Sequence, residues 1–313
     1  MMKSKKYAAI DIGSNAVRLL IKKMNKKDEN EEAVFTKELL VRIPLRLGFD
    51  VFGKGEISKE KGDKLIRLMK AYRQLMRIYD VDAYRACATS ATRDSKNGKE
   101  LLRQIKKEAG IDIDVIDGQE EARIIYDNHI ECMEDRKGNY MYVDVGGGST
   151  EVNLLVEGNL VYSKSYNIGT IRLLTGKVKD DIWSTLSEEI GKHTQDYPVI
   201  NIIGSGGNIN KLYRLIDEKD KRRRMFPVSS LQLIYDQMKI LTPEERIKEF
   251  NLKPDRADVI VPASEIFLFI AGILHSEHIY VPEIGLSDGI IDSLYAADKE
   301  KEDELQITQK DEI

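Results

Sequence analysis

The sequence contains one short pattern twice. Residues 7–21 read YAAIDIGSNAVRLLI, and residues 140–156 read YMYVDVGGGSTEVNLLV. Each copy has an apolar run that contains Asp near its end, a turn of glycine and small polar residues, and a second apolar run. This order predicts two adjacent strands joined by a tight turn. Because one copy lies in each half of the chain, we interpret the repeat as an internal duplication that gives two similarly built domains.

The segments outside the repeats alternate between strand-like and helix-like patterns, which is typical of an α/β fold. Helical spacing of apolar residues predicts helices over residues 57–79, 99–109, 119–130 and 257–276, and a last short helix over 290–297. Short apolar runs predict strands over residues 81–88, 111–115 and 279–281. The charged residues after Asp298 are expected to fray.

The length of the chain also indicates two domains, since 313 residues exceed the size at which single cores usually stop growing. The predicted limits are residues 1–127 for domain I, 128–300 for domain II and 301–313 for a charged C-terminal tail. The connection contains no tract rich in Pro, Gly and Ser, so we do not expect a flexible linker there.

The composition argues against several classes of protein. A net charge of -4 argues against a surface that mainly binds nucleic acid. The two cysteines, Cys87 and Cys132, are too few for a disulfide framework and do not have metal-ligand spacing. The basic start lacks the pattern of a signal peptide, and the apolar stretch 266–274 is too short to span a bilayer. We therefore expect a cytoplasmic protein with no membrane or nucleic-acid partner.

The two repeated turns are candidate phosphate sites. Glycine lets the backbone approach a ligand closely, and consecutive N–H groups form a concave anion site. The turn residues are Gly13, Ser14 and Asn15 in the first copy, and Gly146, Gly147, Gly148 and Ser149 in the second. Asp11 and Asp144 stand near the ends of the preceding strands, where they could hold Mg²⁺ directly or through water. An ordinary hairpin is the alternative for either turn alone, and the matched pair makes it less favoured.

A third glycine loop reads IIGSGGNIN over residues 202–210 and opens a helix. A helix that begins at such a loop can bind an anion with its N-terminus, here through Gly206 and Gly207. Close packing of a helix against a sheet also needs glycine, so both interpretations stay open. The loop lacks the Lys-Ser/Thr ending of a P-loop, which disfavours that class.

A basic run, KDKRRR over residues 219–224, also allows two interpretations. It could guide a polyanion toward the cleft. The neighbouring acidic residues favour a solvated loop instead.

Six segments together resemble one known family. They are DIGSN at 11–15, RACATSATR at 85–93, GQEEA at 118–122, VDVGGGSTE at 143–151, GSGG at 204–207 and LSDG at 286–289. Because it contains these six segments in this order, the chain resembles the exopolyphosphatase and guanosine pentaphosphate phosphatase family. This family is a branch of the actin, Hsp70 and sugar-kinase fold. The resemblance implies a duplicated actin-like fold (ASKHA, ribonuclease H-like) with an active-site cleft between the domains. It also implies, at family level only, a homodimer.

The resemblance further implies roles for three residues outside the glycine turns. Glu121 is expected to orient or deprotonate the attacking water, and Glu151 to be a second acid that positions metal or water. Arg93 is expected to bind phosphate, which suits the planar guanidinium fork. The alternatives are a helix-dipole charge for Glu121, a solvated strand residue for Glu151 and a surface cation for Arg93.

The function implied by the resemblance is a metal-dependent phosphohydrolase of the actin-like fold. It would release terminal phosphate from inorganic polyphosphate by in-line attack of water, with Mg²⁺ or another divalent cation. One alternative is a phosphohydrolase of guanosine pentaphosphate (pppGpp). Another is a sensor that binds polyphosphate or a nucleotide with little turnover. A kinase of the same fold is disfavoured, because the GQEEA segment favours water as the acceptor.

Overall fold

The computed structural model describes residues 4–25, 33–129, 138–197, 199–282 and 285–311. The strands within these ranges are β1 Lys6–Ile12, β2 Val17–Asn25, β3 Val34–Ile43, β4 Ala83–Ala88, β5 Asp114–Val115, β6 Asn139–Val145, β7 Thr150–Val156, β8 Asn159–Tyr166, β9 Asn201–Ser205, β10 Met225–Pro227 and β11 His278–Tyr280. The helices are α1 Leu47–Lys54, α2 Lys59–Ile78, α3 Ser90–Asp94, α4 Gly98–Ala109, α5 Gly118–His129, α6 Thr170–Leu174, α7 Ile182–Thr194, α8 Gly206–Leu215, α9 Val228–Lys239, α10 Pro243–Phe250, α11 Pro254–Ala257, α12 Ile260–Leu274 and α13 Leu286–Asp311.

The strands form two sheets with the same central order. The first sheet runs β3-β2-β1-β4-β5, and the second runs β10-β11-β9-β6-β7-β8. In each sheet three consecutive strands form an antiparallel meander, and a later strand then pairs in parallel with the first strand of that meander. A further parallel strand follows on that side. The predicted duplication is therefore visible in the topology, and the actin-like fold class is confirmed.

Each sheet has its own apolar core. In the first, the apolar face of α2 packs toward the sheet through buried residues such as Leu65, Met69 and Tyr72. In the second, α12 is the central helix, and Phe267 and Ile270 are fully buried. A helix that is apolar on all sides is expected at such a place, because it has protein around most of its circumference.

The span Pro254–Leu274 is longer than the apolar stretch noted in the sequence. Among the described residues it is the one segment long and apolar enough to cross a membrane by length and composition. In the window that meets this criterion, 56% of the residues are buried inside the protein. The packing of α12 in the second core accounts for that apolar composition.

A third apolar cluster joins the two halves. It contains Tyr7 and Cys87 from the first sheet, Tyr142 and Ile203 from the second, and Ile290 from α13. Helices α5 and α13 contact each other; α5 also packs on β7 and β8, and α13 on β1, β2 and β4. The two halves therefore share a core, and the domain limits at 127/128 and 300/301 stay predictions.

The end of the chain differs from the sequence prediction. The last helix begins at Leu286 rather than Ile290, and it continues to Asp311 through the region expected to fray. Lys and Glu, which dominate residues 299–304, are good helix formers. The carboxylate of Asp298 also accepts hydrogen bonds from the ammonium of Lys5 at 2.7 Å and the hydroxyl of Tyr7 at 2.9 Å. These contacts hold the middle of α13 against β1.

The strand predicted over residues 111–115 is also shorter in the structure. Only Asp114 and Val115 pair with β4. Ile111 and Ile113 are buried in the first core, so their alternating apolar pattern reports burial rather than strand pairing. A segment can therefore alternate apolar and polar residues with the period of a strand although no neighbouring strand pairs with it.

We expect Ile290→Ala to lower the free energy of unfolding by about 3 kcal/mol, because it leaves a cavity where Ile290 is fully buried in the shared core. Urea unfolding measures this change. The matched control is Leu233→Ala on α9, where the side chain is 63% exposed. Equal effects of the two substitutions would show that the α13 contact contributes little to stability.

Candidate active site

The two repeated turns have the same backbone design. In the first turn the N–H of Gly13 donates to the carbonyl of Ala16 at 3.1 Å. In the second turn the N–H of Gly146 donates to the carbonyl of Ser149 at 2.9 Å. Both turns therefore close with one hydrogen bond across the same number of residues, as the sequence repeat predicts.

The carbonyl groups of the second turn are held by the N-terminus of α6. The N–H of Thr170 donates to Gly146 O at 3.0 Å, and the N–H of Ile171 donates to Gly147 O at 2.8 Å. In a trans peptide the N–H points opposite to the C=O. The N–H groups of Gly147 and Gly148 therefore point away from α6, and neither has an acceptor within the described ranges.

The first turn is held in the same way by the start of α1. The N–H of Gly48 donates to Ser14 O at 2.8 Å, and the N–H of Arg46 donates to Asn15 O at 2.9 Å. By the same geometry, the N–H groups of Asn15 and Ala16 point away from α1. Each turn thus presents consecutive N–H groups that are free for an anion, which is the arrangement of an anion nest.

The two turns are in direct contact. A Cβ atom at Gly147 would lie 2.9 Å from the Cβ of Ser14 and 3.3 Å from the backbone nitrogen of Asn15. A Cβ atom at Gly148 would lie 2.4 Å from the ring of Phe52. Glycine is therefore required at both positions for the two halves to approach this closely.

The third glycine loop lies beside the second turn. Gly206 has a φ of +91°, and a Cβ atom there would lie 2.6 Å from Oδ1 of Asp144. A Cβ atom at Gly207 would lie 2.1 Å from the guanidinium of Arg256. The start of α8 is therefore in contact with one candidate metal ligand and one cation.

A cavity of about 500 Å³ lies between the two halves. Most of the predicted site residues line it: Asp11, Gly13, Ser14, Asn15, Glu121, Asp144, Gly146, Gly147, Ser149, Gly206 and Gly207. Arg93, Gly148 and Glu151 are not among its lining residues. The structure therefore brings the three glycine loops and Glu121 around one space.

Glu121 lies in the first turn of α5, and its carboxyl group is in an unusual environment. Its Oε2 atom is buried and has no hydrogen-bond partner in the described part of the chain. Burial, together with the negative charges of Glu151 and Asp144, raises the pKa of Glu121 well above its usual value. A carboxylate with a raised pKa and an unused oxygen at a cavity is suited to accept a proton.

Glu151 lies behind the cavity wall, on β7. Its side chain is buried and accepts a hydrogen bond from the hydroxyl of Ser165 at 2.8 Å. Burial raises the pKa of Glu151 to about 7, and the charge of Asp144 adds to this effect. A direct contact between Glu151 and a ligand in the cavity is thus not part of this arrangement, and its catalytic role stays a prediction.

Arg93 lies on the short helix α3, directly after β4. Its guanidinium donates to the carbonyl of Ile116 at 3.0 Å and lies 3.7 Å from the carboxylate of Asp94. Its charge opposes the rise in the pKa of Glu121 and Glu151, so it lies near both carboxyl groups. The role of Arg93 as a phosphate ligand also stays a prediction.

The sequence reasoning missed several cations that line the cavity. Arg18 on β2 faces Asp11 on β1, and its Nη1 lies 2.5 Å from the carboxylate of Asp11. Arg42 on β3 is paired in register with Arg18 and lies 2.6 Å from Asp255 of the other half. Arg256 donates to the side chain of Asn208 at 2.5 Å. The cross-strand placement of Arg18 was readable from the predicted hairpin, whereas the approach of Arg256 depends on tertiary packing.

The donor chemistry around Asp11 and Asp144 fits a magnesium ion. Within the described residues there is no group of three or more His, Cys, Asp or Glu side chains that could enclose a metal. Mg²⁺ usually binds one or two carboxylates together with waters and substrate phosphates, so a full protein cage is not needed. Burial raises the pKa of Asp144 to about 6, as expected for a carboxylate whose charge is incompletely compensated. The metal role of both aspartates stays a prediction.

The family of this chain follows from its similarity to known proteins. The model of the Ppx/GppA phosphatase family matches residues 40–297. The chain belongs to the Ppx/GppA phosphatase family. This confirms the family inferred from the six sequence segments.

Solved and curated relatives agree with this assignment. The crystal structure of the Aquifex aeolicus Ppx/GppA family member has a TM-score of 0.75 and 27% identity, covering 95% of this chain and 99% of that one. A Fusobacterium nucleatum protein named bifunctional 3-dehydroquinate synthase/phosphatase is 29% identical over 297 residues, which is 88% of this chain. Exopolyphosphatase 1 of Mycobacterium tuberculosis is 28% identical over 176 residues, or 56% of this chain. This chain's match covers 44% of the Fusobacterium protein and 50% of the Mycobacterium protein.

We expect Gly147→Ala to lower the free energy of unfolding by about 1–3 kcal/mol, because the added Cβ forces the two turns apart. Urea unfolding measures the change, and binding of inorganic phosphate should weaken with it. The control is Gly191→Ala in α7, where an added Cβ meets nothing within 4 Å. If the Gly147 variant were as stable as this control, the contact between the turns would not be a tight constraint.

The buried carboxyl of Glu151 predicts a pH dependence of stability in the presence of a metal chelator. Its pKa is about 7 in the folded protein against an ordinary 4.5. Above pH 4.5 the unfolded chain therefore loses this proton first, and the free energy of unfolding falls as the pH rises to about 7. The expected slope approaches about 1.4 kcal/mol per pH unit for one such group.

Glu151→Gln should remove this contribution and flatten the dependence, as measured by urea unfolding at a series of pH values. Glu188→Gln, which replaces an exposed carboxyl on α7, is expected to keep the wild-type pH dependence. An unchanged slope in the Glu151 variant would contradict the environment assigned to this residue.

Proposed function

We propose that this Ppx/GppA family member releases terminal phosphate from inorganic polyphosphate by in-line attack of water, with the help of Mg²⁺ or another divalent cation. The observation that carries this proposal is the position of Glu121. Its unpartnered carboxylate oxygen stands at a cavity whose walls are two turns that present free N–H groups. A proton acceptor beside an anion site is the minimum that phosphate hydrolysis requires.

The terminal phosphate would lie in the cavity, beside the junction of the two glycine turns. The N–H groups of Asn15 and Ala16 from one turn, and of Gly147 from the other, would donate to its oxygens. These donors are fixed by the helices behind them, so they need little reorganisation when charge develops on the phosphoryl group.

Glu121 would orient the attacking water and accept its proton. The raised pKa of this carboxyl makes it a stronger base than an ordinary glutamate, which favours proton acceptance near neutral pH. The nearby charge of Arg93 opposes this rise in the pKa of Glu121. The carboxylate of Glu121 would thus both orient the attacking water and accept its proton. No covalent intermediate on the protein is required.

Asp11 and Asp144 would hold the divalent cation together with oxygens of the substrate phosphates. When bound, the cation would neutralise charge on the phosphates of the substrate and leaving group. Arg18 already lies against Asp11, and its side chain reaches the same cavity. It supplies a fixed positive charge next to the candidate metal position.

Two kinds of support favour polyphosphate as the substrate. A relative of this chain is named exopolyphosphatase 1. The cavity is lined by seven Lys and Arg residues, more than a single phosphate needs: Arg18, Lys37, Arg42, Lys211, Arg214, Lys253 and Arg256. A cavity of this charge suits a substrate with several adjacent phosphates.

Guanosine pentaphosphate is the second candidate substrate. It also ends in a short run of phosphates, and one feature of the cavity suits a base. Leu40 on β3 lines the cavity with a side chain that is 52% exposed, giving an apolar surface near the cations. An apolar surface near Arg and Lys is a common setting for a planar ring.

The test is phosphate release from polyphosphate and from guanosine pentaphosphate, each with Mg²⁺ and with chelator. We expect Glu121→Gln to lower kcat by a factor of about 10²–10⁴ while binding of the phosphate chain is kept, since only the proton acceptor is lost. The matched control is Glu120→Gln on the same helix turn, because Glu120 pairs with Arg85 at 2.5 Å instead of lining the cavity.

The outcomes separate the candidates. Metal-dependent release that is lost in the Glu121 variant and kept in the Glu120 variant would support the hydrolase and identify its substrate. Equal activity of the two variants would remove Glu121 from the mechanism. Tight binding without release from either substrate would favour a sensor of polyphosphate or nucleotide.

A further inference from the structure

Four further cations line the cavity outside the two repeated glycine turns. Lys37 belongs to β3, Lys211 and Arg214 belong to α8, and Lys253 precedes α11. We call these four residues the distal cation cluster. Within the described ranges, none of them has an ion pair with an acidic side chain. The ammonium of Lys211 has one weak contact at 3.4 Å, with the carbonyl of Asn251.

Three other cations at the interface between the halves are paired with carboxylates. Arg18 pairs with Asp11, and Arg42 lies 2.6 Å from Asp255. Arg46 pairs with Asp258. A chain with a net charge of -4 has enough carboxylates to pair every cation, so the uncompensated group in the cavity is a local feature of this site.

Several of the cations in the cavity lie close together. Burial lowers the pKa of Arg256 to about 9, and the charges of Arg42, Arg18 and Arg214 add to this effect. Burial also lowers the pKa of Lys211, again with a contribution from Arg214. Arg214 therefore lies close enough to Arg256 and Lys211 for repulsion, which a bound polyanion would relieve.

We propose that Lys37, Lys211, Arg214 and Lys253 form a subsite for the substrate phosphates that follow the one being released. This subsite rests on the proposed function, since it takes the far part of the same substrate. Its ligand is a group of phosphates several units from the reacting phosphorus. A linear polyphosphate chain supplies such a group, and so does the second phosphate group of guanosine pentaphosphate.

The placement of the cluster determines which kinetic constant it should affect. Contacts with distant phosphates are the same in the bound substrate and in the transition state, so they lower KM and leave kcat nearly unchanged. A substrate too short to reach the cluster gains nothing from it. The distal cation cluster would therefore set the preference of the enzyme for longer substrates.

The test variant is Lys211→Gln with Lys253→Gln, which removes two charges from two different elements. Its matched control is Lys221→Gln with Arg222→Gln in the exposed basic run 219–224, outside the cavity. That run is a turn around Asp220, whose carboxylate accepts from the N–H groups of Arg222 and Arg223. The control thus changes net charge equally without touching the cluster.

Steady-state rates are measured with tripolyphosphate, with medium-chain polyphosphate and with guanosine pentaphosphate. We expect the cluster variant to raise KM for at least one of the longer substrates about tenfold for each lost charge-assisted contact. The kcat and the constants for tripolyphosphate should stay close to wild type. The salt dependence of KM should also become shallower, because fewer charges remain to be screened.

The measurements with different substrates identify which molecule supplies the distal phosphates. A rise in KM confined to medium-chain polyphosphate assigns the subsite to a linear chain, and one confined to guanosine pentaphosphate assigns it to the second phosphate group of that nucleotide. An equal rise in KM for tripolyphosphate would overturn the proposal, because the cluster would then act on the reacting phosphate. An equal effect of the control variant would also overturn it, because the overall charge of the protein would then explain the change in KM.

A separate binding measurement distinguishes this proposal from the proposed function. The equilibrium affinity for medium-chain polyphosphate and for guanosine pentaphosphate is measured in the Glu121→Gln background, with and without the two cluster substitutions. If the wild type releases no phosphate but the cluster substitutions weaken binding about tenfold or more, the hydrolase fails and the subsite stands. If release is robust but both affinities are unchanged by these substitutions, the hydrolase stands and the subsite fails.

Discussion

The structure depends on the contact between two turns at which there is no room for a side chain on Gly147. Gly147 lies against Ser14 and Asn15 so closely that a single methyl group would separate them. This contact fixes the distance between the two sheets at the point where their repeated hairpins meet. The N-termini of α1 and α6 hold the carbonyl groups behind it, so the free N–H groups of both turns point away from these helices. The position of every other group in the cavity follows from this junction.

The cavity contains both carboxyl groups and cations. The carboxyl groups of Glu121 and Asp144 are near the glycine turns, where burial raises their pKa values. Lys211 and Lys253 lie on elements that border the same space from the second half. A polyanion with its reacting end at the turns would meet N–H donors and a base there, and positive charge along its remaining length.

Much of this could be predicted from the sequence, because the deciding patterns are local. The hairpins, the glycine loops and α5 each lie within a short run of residues, so the repeated hairpin of each sheet and the helical position of Glu121 were predictable, whereas β3, β8 and β10 were not predicted. The length of α13 was missed because charged residues suggest solvent, although Lys and Glu also favour helix. The approach of Arg256 to Gly207 and the position of Arg93 behind the cavity were also missed. Both depend on how distant elements pack, which no spacing within one segment reveals.

The core shared by the two halves also has a consequence for biosynthesis. Tyr7 and Cys87 are covered partly by Ile290 and its neighbours on α13, which follow them by a long stretch of chain and are synthesised much later. Until then the nascent first half keeps an apolar face of its sheet uncovered. Contacts of such long sequence separation form late and slow the completion of folding. The newly made chain therefore passes through a period in which it is exposed to aggregation, and this period ends only when α13 packs on the first sheet.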